Sequence, residues 1–476
     1  MMSAPRIAAV SVPARRRWRA EARAVFALAW PIVLGNLTHM AIFATDTAFI
    51  GHYAPHALAA AALATNLMHM LMSLGFGLAM AAAPMIANAL GRGRHAVREV
   101  RRSVRQALWV VWAYSALAVC VLWQGEAIFR LFGQDDALSA EAAGYLGVIK
   151  WMIFPLLGFW VLRFFILTLN RPRITLVVTA GGIVVNAAAN YALVFGHFGA
   201  PEMGLVGSGI ASALASAFLF GGLAAACLWD RQFRRYAVFG RFWRADWPRF
   251  RELWRLGLPI GVTSAMEGLM FGGGAFVVGH FGAESLAAHA VVMQLSAFAF
   301  MIPLGLSEAA TIRVGLWAGR GDDEGVTVAG DAALTLAAMC AVVTASAMVF
   351  APGLLIAPFL EAEAPGSAAV ADLAARFLLF AALFQVADCV QMVGAGALRG
   401  LKDTRMHMAF ILVGHLLLAT PVGIGLAFAG GFGGLGVWVG FTAGLFCVAA
   451  LVLVRWRARH RLGLLGRCMR MTEAAA

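Results

Sequence analysis

Twelve apolar runs of about 20 residues each, separated by short polar stretches, commit most of this 476-residue chain to a lipid bilayer. Inside hydrocarbon every backbone N–H and C=O must find its partner within the protein, so only helices and closed barrels can cross. The runs are rich in Ala, Leu, Gly, Phe and Met and lack the apolar–polar alternation of barrel strands, which leaves helices. Composition agrees, with 62% hydrophobic residues, 13% charged residues and a mean hydropathy of +0.81, more apolar surface than a soluble chain can bury. The predicted spans are 24–50, 57–90, 104–124, 146–169, 175–196, 205–229, 253–279, 286–318, 328–351, 372–398, 406–430 and 434–455. The fold class is therefore an all-α membrane protein with twelve transmembrane helices.

The net charge of +13 is placed as a membrane protein places it, not as a nucleic-acid binder does. Of the 37 Lys and Arg, 32 fall in segments that share one side if the chain crosses twelve times. These are the tail Arg6 to Arg23, the stretch Arg92 to Arg105, Arg171 with Arg173, Arg231 to Arg255, Arg320, the group Arg399, Lys402 and Arg405, and Arg455 to Arg470. The opposite loops, GQDDALSAE and PFLEAEAPGSAAVAD, are acidic or neutral. That asymmetry predicts a multi-pass protein of the bacterial inner membrane with both termini in the cytoplasm. The arginine-rich start is not expected to be a cleavable signal, because the run behind it is a full span. Six cysteines without a CxxC pair give no metal or disulfide signature.

The longest basic and aromatic stretch, 230–252, divides six spans from six and is expected to be a solvated or headgroup-lying linker. The expected organisation is a tail at 1–23, a first six-helix lobe at 24–229, the linker at 230–252, a second lobe at 253–455 and a tail at 456–476. The lobes are repeats. A shift of 228 residues lays Pro31-Ile32 on Pro259-Ile260, Gly51-His52 on Gly279-His280 and Gly91-Arg92-Gly93 on Gly319-Arg320-Gly321, with 17 identities in the 64 positions from Trp30 to Gly93. Six spans per copy make the repeats parallel, an arrangement transporters use to place a pathway between halves.

Ionisable groups within spans are costly, about 2.5–3.5 kcal/mol each at the bilayer centre on insertion scales, so each needs a reason. Glu267 lies at the middle of span 7 and Asp388 near the middle of span 10, at similar depth. Gln385 and Gln391 stand three residues either side of Asp388, on its helical face. Glycines at 268 and 272–274 are expected to let a backbone or an ion approach Glu267. Two carboxylates in a poorly hydrated cavity suit Na⁺ or a proton. In the first half Asp46 lies toward the outer end of span 1, and Asn186 and Asn190 share a face of span 5. With Asn36 and His39 they form a second candidate cluster. Glu308 is a further candidate in span 8, whereas Arg163 and Arg313 are expected to snorkel to headgroups. His69, His289 and His415 are expected to pack.

These residues resemble the MATE (multidrug and toxic compound extrusion) family, and within it the NorM-like branch, over nearly all of 24–455. The resemblance rests on Pro31, Asn36, Asp46, Thr47 and Gly51, on LAA at 58–60, on GLPIG with Glu267, on LAAH at 286–289, on EAATIRVG at 308–315 and on GALRGLKDT ending at Thr404. It implies two six-helix lobes in an outward-facing V of the MATE/MOP type and export of organic cations against Na⁺ or H⁺ entry. By the same resemblance the second-lobe cation acids fall on Glu267 and Asp388, the first-lobe acid on Asp46 and the polar pair on Asn186 and Asn190. Glu308 departs from the family pattern, and if it faces the cavity it adds a proton or cation ligand.

The expected function is secondary active multidrug efflux by antiport, with drugs and membrane lipid as partners, no cofactor, no resident metal, and a monomer as the working unit. A flippase-like exporter of a lipid-linked saccharide or other metabolite is the alternative, and it would place more cations in the cavity to grip a pyrophosphate. A membrane transferase would need an acidic metal cluster, and Asp322-Asp323-Glu324 after GRG reads better as a solvated turn. No GxxxxGK[ST] phosphate loop is present, so ATP is not the expected energy source.

Overall fold

The computed structural model describes residues 14–53, 57–93, 95–360 and 366–474. Residues 1–13 of the expected tail, Arg94, and 361–365 of the acidic loop lie outside the described residues. Among those described there is no strand, and twelve helices are long and apolar enough to cross a bilayer. They are α1 Arg15–Tyr53, α2 Ala57–Arg92, α3 Ala96–Leu122, α4 Asp136–Thr168, α5 Pro172–Phe195, α6 Gly204–Trp229, α7 Trp247–Gly279, α8 Ala283–Arg320, α9 Asp323–Phe350, α10 Ser367–Gly400, α11 Arg405–Ala429 and α12 Gly434–Arg457. A short helix, α13 Leu464–Ala474, follows.

The observed helices overrun the apolar windows because polar first turns find partners at the membrane edge. α9 starts at Asp323, where Asp322 caps it by accepting from the Gly325 N–H at 2.8 Å. Arg17 at the start of α1 pairs with Asp322, and with Glu324 at 2.8 Å. The DDE run is thus solvated as expected, but it forms a helix N-terminus tied to the first half. The stretch after α6 also differs from the expected solvated linker. Phe233, Tyr236 and Val238 are fully buried, with Phe165 of α4 edge-on to Tyr236 at 5.5 Å. Its carbonyls accept from α3, at Tyr236 from Arg101 (2.6 Å), at Arg241 from Arg105 (3.1 Å) and at Phe242 from Trp109 (3.1 Å). Aromatic residues there supply packing, and the arginines of α3 satisfy backbone that would otherwise need water.

Contacts between the halves come in pairs that the 228-residue shift exchanges. A β-carbon on Gly77 of α2 would lie 2.1 Å from the Gly261 nitrogen of α7, and one on Gly305 of α8 would lie 2.5 Å from a Val33 methyl of α1. One on Gly91 would lie 2.1 Å from the Leu316 carbonyl oxygen, and one on Gly319 would lie 2.2 Å from that of Asn88. When residue i meets j while their repeat-mates meet in the reverse sense, a two-fold axis runs between them. All these contacts lie in the helix portions leading to the side that carries the described chain ends, here the terminal side. Only glycine permits backbones this close, and the seam is built of small residues there. Beyond it the halves separate around a cavity.

Candidate functional site

The cavity has a volume of about 730 Å³ and its lining reaches Thr47, Ile50 and Leu58 at the far ends of α1 and α2. Its wall is mainly apolar, with Met68, Met72, Phe76, Trp160, Phe271 and Phe384 among its large members. Unbranched Met and planar aromatic rings adapt to guests of different outline, so such a wall sets size and lipophilicity more than shape. The charged lining among the described residues is Asp46, Glu267, Asp388 and Arg399, three acids to one base.

Glu267 and Asp388 both line the cavity, from α7 and α10. Gln391 donates from its Nε2 to Glu267 Oε1 at 3.1 Å, so one of the two expected glutamines serves the acid. Gln385 is fully buried and donates toward Cys389 Sγ at 3.5 Å, away from the cavity. The glycines near Glu267 do not do what their position suggests. A β-carbon at Gly268, Gly272 or Gly273 would meet nothing within 4 Å, and only Gly274 is closely packed, against Phe441 at 2.3 Å. Gly268 leaves open space in the cavity beside the acid, and Gly272 and Gly273 bring no second backbone near.

Asp46 forms a separate, tightly bonded cluster in the first half. Its Oδ1 accepts from Asn186 Nδ2 at 2.8 Å and Asn190 Nδ2 at 2.7 Å, and its Oδ2 accepts from the Ser212 hydroxyl. The i,i+4 spacing of the asparagines puts both amides on one face of α5. Their own Oδ1 atoms have no donor, so three helices converge on a site with acceptor oxygens to spare. Ser212 of α6 was not foreseen, because a serine in an Ala-rich helix carries no distinguishing signal. His39 lines the cavity, edge-on to Trp160 at 5.3 Å. His69 and His415 also line it, while His289 packs beside Trp438 at 5.6 Å.

Asn36 and Glu308 belong to neither cluster. Both meet Arg163, which is buried rather than snorkelling. Its Nη2 donates to Asn36 Oδ1 at 2.6 Å, its Nη1 to Glu308 Oε1 at 3.3 Å, and its guanidinium lies 4.6 Å from the Trp160 ring centre. Arg313 likewise does not reach for headgroups but forms a two-pronged pair with Glu21 at 2.6 and 3.1 Å. Arg399 and Lys402, expected in a terminal-side loop, are both buried. Lys402 pairs with Glu252 at 2.6 Å, and Arg399 donates to the Ser307 hydroxyl at the cavity wall. No group of three or more His, Cys, Asp and Glu suited to a metal occurs among the described residues.

Comparison with known proteins agrees with this architecture. The sequence profile of the MatE family matches the chain twice, over residues 31–192 and 259–424, beginning at the two prolines the repeat superposes. A protein of Mesorhizobium japonicum described as "Probable multidrug resistance protein NorM" is 46% identical over 445 residues, covering 94% of this chain and 95% of its own. A Brucella suis protein of the same description is 43% identical over 444 residues, covering 93% and 94%. Among solved structures, the eukaryotic MATE transporter AtDTX14 shares the fold with a TM-score of 0.84, at 17% identity, over 97% of this chain and 100% of that one.

Proposed function

The chain belongs to the MatE family, a family of transporters and not of enzymes, and on that premise we propose that it is a secondary active multidrug efflux antiporter. It exports lipophilic organic cations in exchange for Na⁺ or H⁺. The observation that carries this reading is the lining of the cavity, a greasy wall with three acids and one base between two halves closed on the terminal side. A lipophilic cation gains apolar burial and carboxylate partners there, whereas a pyrophosphate would meet mostly like charge. The terminal side is the cytoplasm by the distribution of Lys and Arg, so the state described is outward-facing.

In the cycle, residues 24–229 and 253–455 act as lobes that rock about the glycine seam. The inward-facing state takes the drug from the cytoplasm or inner leaflet. In the outward state the coupling ion binds at Glu267 and Asp388, with Asp46 and its asparagines as a second acidic station, and drug affinity falls. The ion-loaded protein then returns inward. Exchange requires that drug and ion prefer different states, since a ligand indifferent to the two shifts nothing. The membrane potential supplies about 2.3 kcal/mol per charge per 100 mV, plus the concentration term.

The test is ethidium or norfloxacin efflux from cells expressing parent, Glu267→Gln or Asp388→Asn protein at equal levels. Export is expected to be lost in both variants, and export at the parent rate in both would remove the cation-site reading. Everted vesicles with the Na⁺ and pH gradients collapsed separately identify the coupling ion.

A further inference from the structure

The antiport cycle does not account for the most deeply buried ion pair in the membrane. Arg163 and Glu308 keep 3% and 1% of their side-chain surface exposed, with Nη2 to Oε2 at 3.3 Å. Arg163 stands on α4 and its second partner Asn36 on α1, both in the first half, while Glu308 stands on α8 in the second. The pair therefore bridges the halves. It has no symmetric twin, because the repeat-mate of Glu308 is Met80. Asn36, which accepts from Arg163, also hydrogen-bonds the Glu308 carboxylate, so the pair belongs to a three-residue network between the halves.

A buried pair is a poor way to gain stability. Well-packed apolar residues in its place are commonly neutral or stabilising, while loss of one partner costs about 3–5 kcal/mol. Its use is better sought in what happens when the halves part. Drawn apart in a dry medium the charges would be stranded, but opening the terminal side admits water that hydrates both. The pair thus holds the seam while it is dry and releases once it is wet.

Arg399 connects this bridge to the cation site. It lies on α10, lines the same cavity as Glu267, and donates to the hydroxyl of Ser307, the neighbour of Glu308. Its Nε has no partner. Two guanidiniums thus stand about Glu308, Arg163 on its carboxylate and Arg399 on the residue beside it. We infer that Arg163 and Glu308 form a latch across the terminal-side seam, and that Arg399 is the positioning residue through which ion occupancy at Glu267 weakens it. A cation or proton at Glu267 cancels the charge that draws Arg399 toward the cavity. Arg399 then competes for Glu308, and Arg163 loses its hold. The direction is the one exchange requires, because the ion-loaded protein is the one that must open inward.

This inference rests on the antiport reading, and the experiment separates the two. Parent, Glu267→Gln, Glu308→Gln and the double variant Arg163→Met/Glu308→Leu are reconstituted in liposomes. Melting temperature, ethidium movement down its own gradient, and ethidium accumulation driven by a Na⁺ or pH gradient are measured for each. The double variant keeps the seam packed and is expected to melt at or above the parent temperature while gradient-driven accumulation falls about tenfold, an ordinary size for a coupling factor. Downhill movement is expected to persist in it, which a merely structural role would not produce. Glu308→Gln is expected to lose coupling too, and should it fail to fold the double variant carries the test. Parent-like accumulation in the double variant alongside an inactive Glu267→Gln overturns the latch and leaves the antiporter. Parent-like accumulation in Glu267→Gln removes Glu267 from the coupling and this inference with it.

Discussion

Gln391 is the side chain that holds one oxygen of Glu267, at 3.1 Å, and Glu267 lines the cavity. A hydrogen bond to a charged acceptor contributes about 1.5–3 kcal/mol, and each 1.4 kcal/mol is about a tenfold change in binding. Gln391→Ala is therefore expected to raise the ion concentration for half-maximal ethidium efflux at least about tenfold, with ethidium affinity in ion-free buffer little changed. An unaltered ion dependence would show that Glu267 is oriented by something else. The residue scale is also where the sequence is least explicit. Depth along a span marks Glu267, Asp388 and Asp46, but depth carries no information about the direction a side chain takes. Asn36 lies ten residues before Asp46 on the same helix and nevertheless serves Arg163. Arg399 occupies the last turn of an apolar span, beside a true loop, and is turned into the protein by Ser307.

At the scale of helices the spans were legible because lipid imposes their length and apolarity, and all twelve were anticipated to within several residues at most ends. What escaped was anything set by long-range packing. The stretch after α6 lies on α3 through bonds spanning more than 130 residues of sequence, which no local pattern encodes. Glycines divide the same way, since those near Glu267 and those at the seam are alike in sequence and opposite in space. Gly77→Ala drives a methyl to 2.1 Å from the Gly261 backbone, so α2 and α7 must separate, and overpacking of this kind costs about 1–3 kcal/mol. Gly268→Ala meets nothing within 4 Å and trades chain entropy for helix propensity. Thermal melting in detergent is expected to fall clearly for the first and to stay level or rise for the second. Equal effects at the two positions would mean the close α2–α7 crossing is not the working contact.

At the scale of the whole molecule, the paired contacts define an axis about which the lobes are related, and the charges depart from that symmetry. The scaffold repeats, while Glu267 falls on His39 and Asp46 on Gly274, so the ion chemistry is divided unequally between equivalent frames. Rocking then has a geometric consequence that can be tested on the axis. Ala87 and Gly315 are repeat-mates, and a β-carbon on Gly315 would sit 2.9 Å from that of Ala87, slightly inside the roughly 3.5–4.5 Å a disulfide spans. In a background with Cys468→Ser, which removes the thiol bonded to neighbouring Asn88, Ala87→Cys/Gly315→Cys is expected to cross-link on oxidation. A bond at that point leaves the far-side cavity accessible, so ethidium should still bind from outside. It forbids the terminal side from parting, so efflux should stop, and a reductant should restore it. Full export by the oxidised, verified cross-link would mean that the lobes do not separate about this axis, and that drug leaves by a path other than the seam.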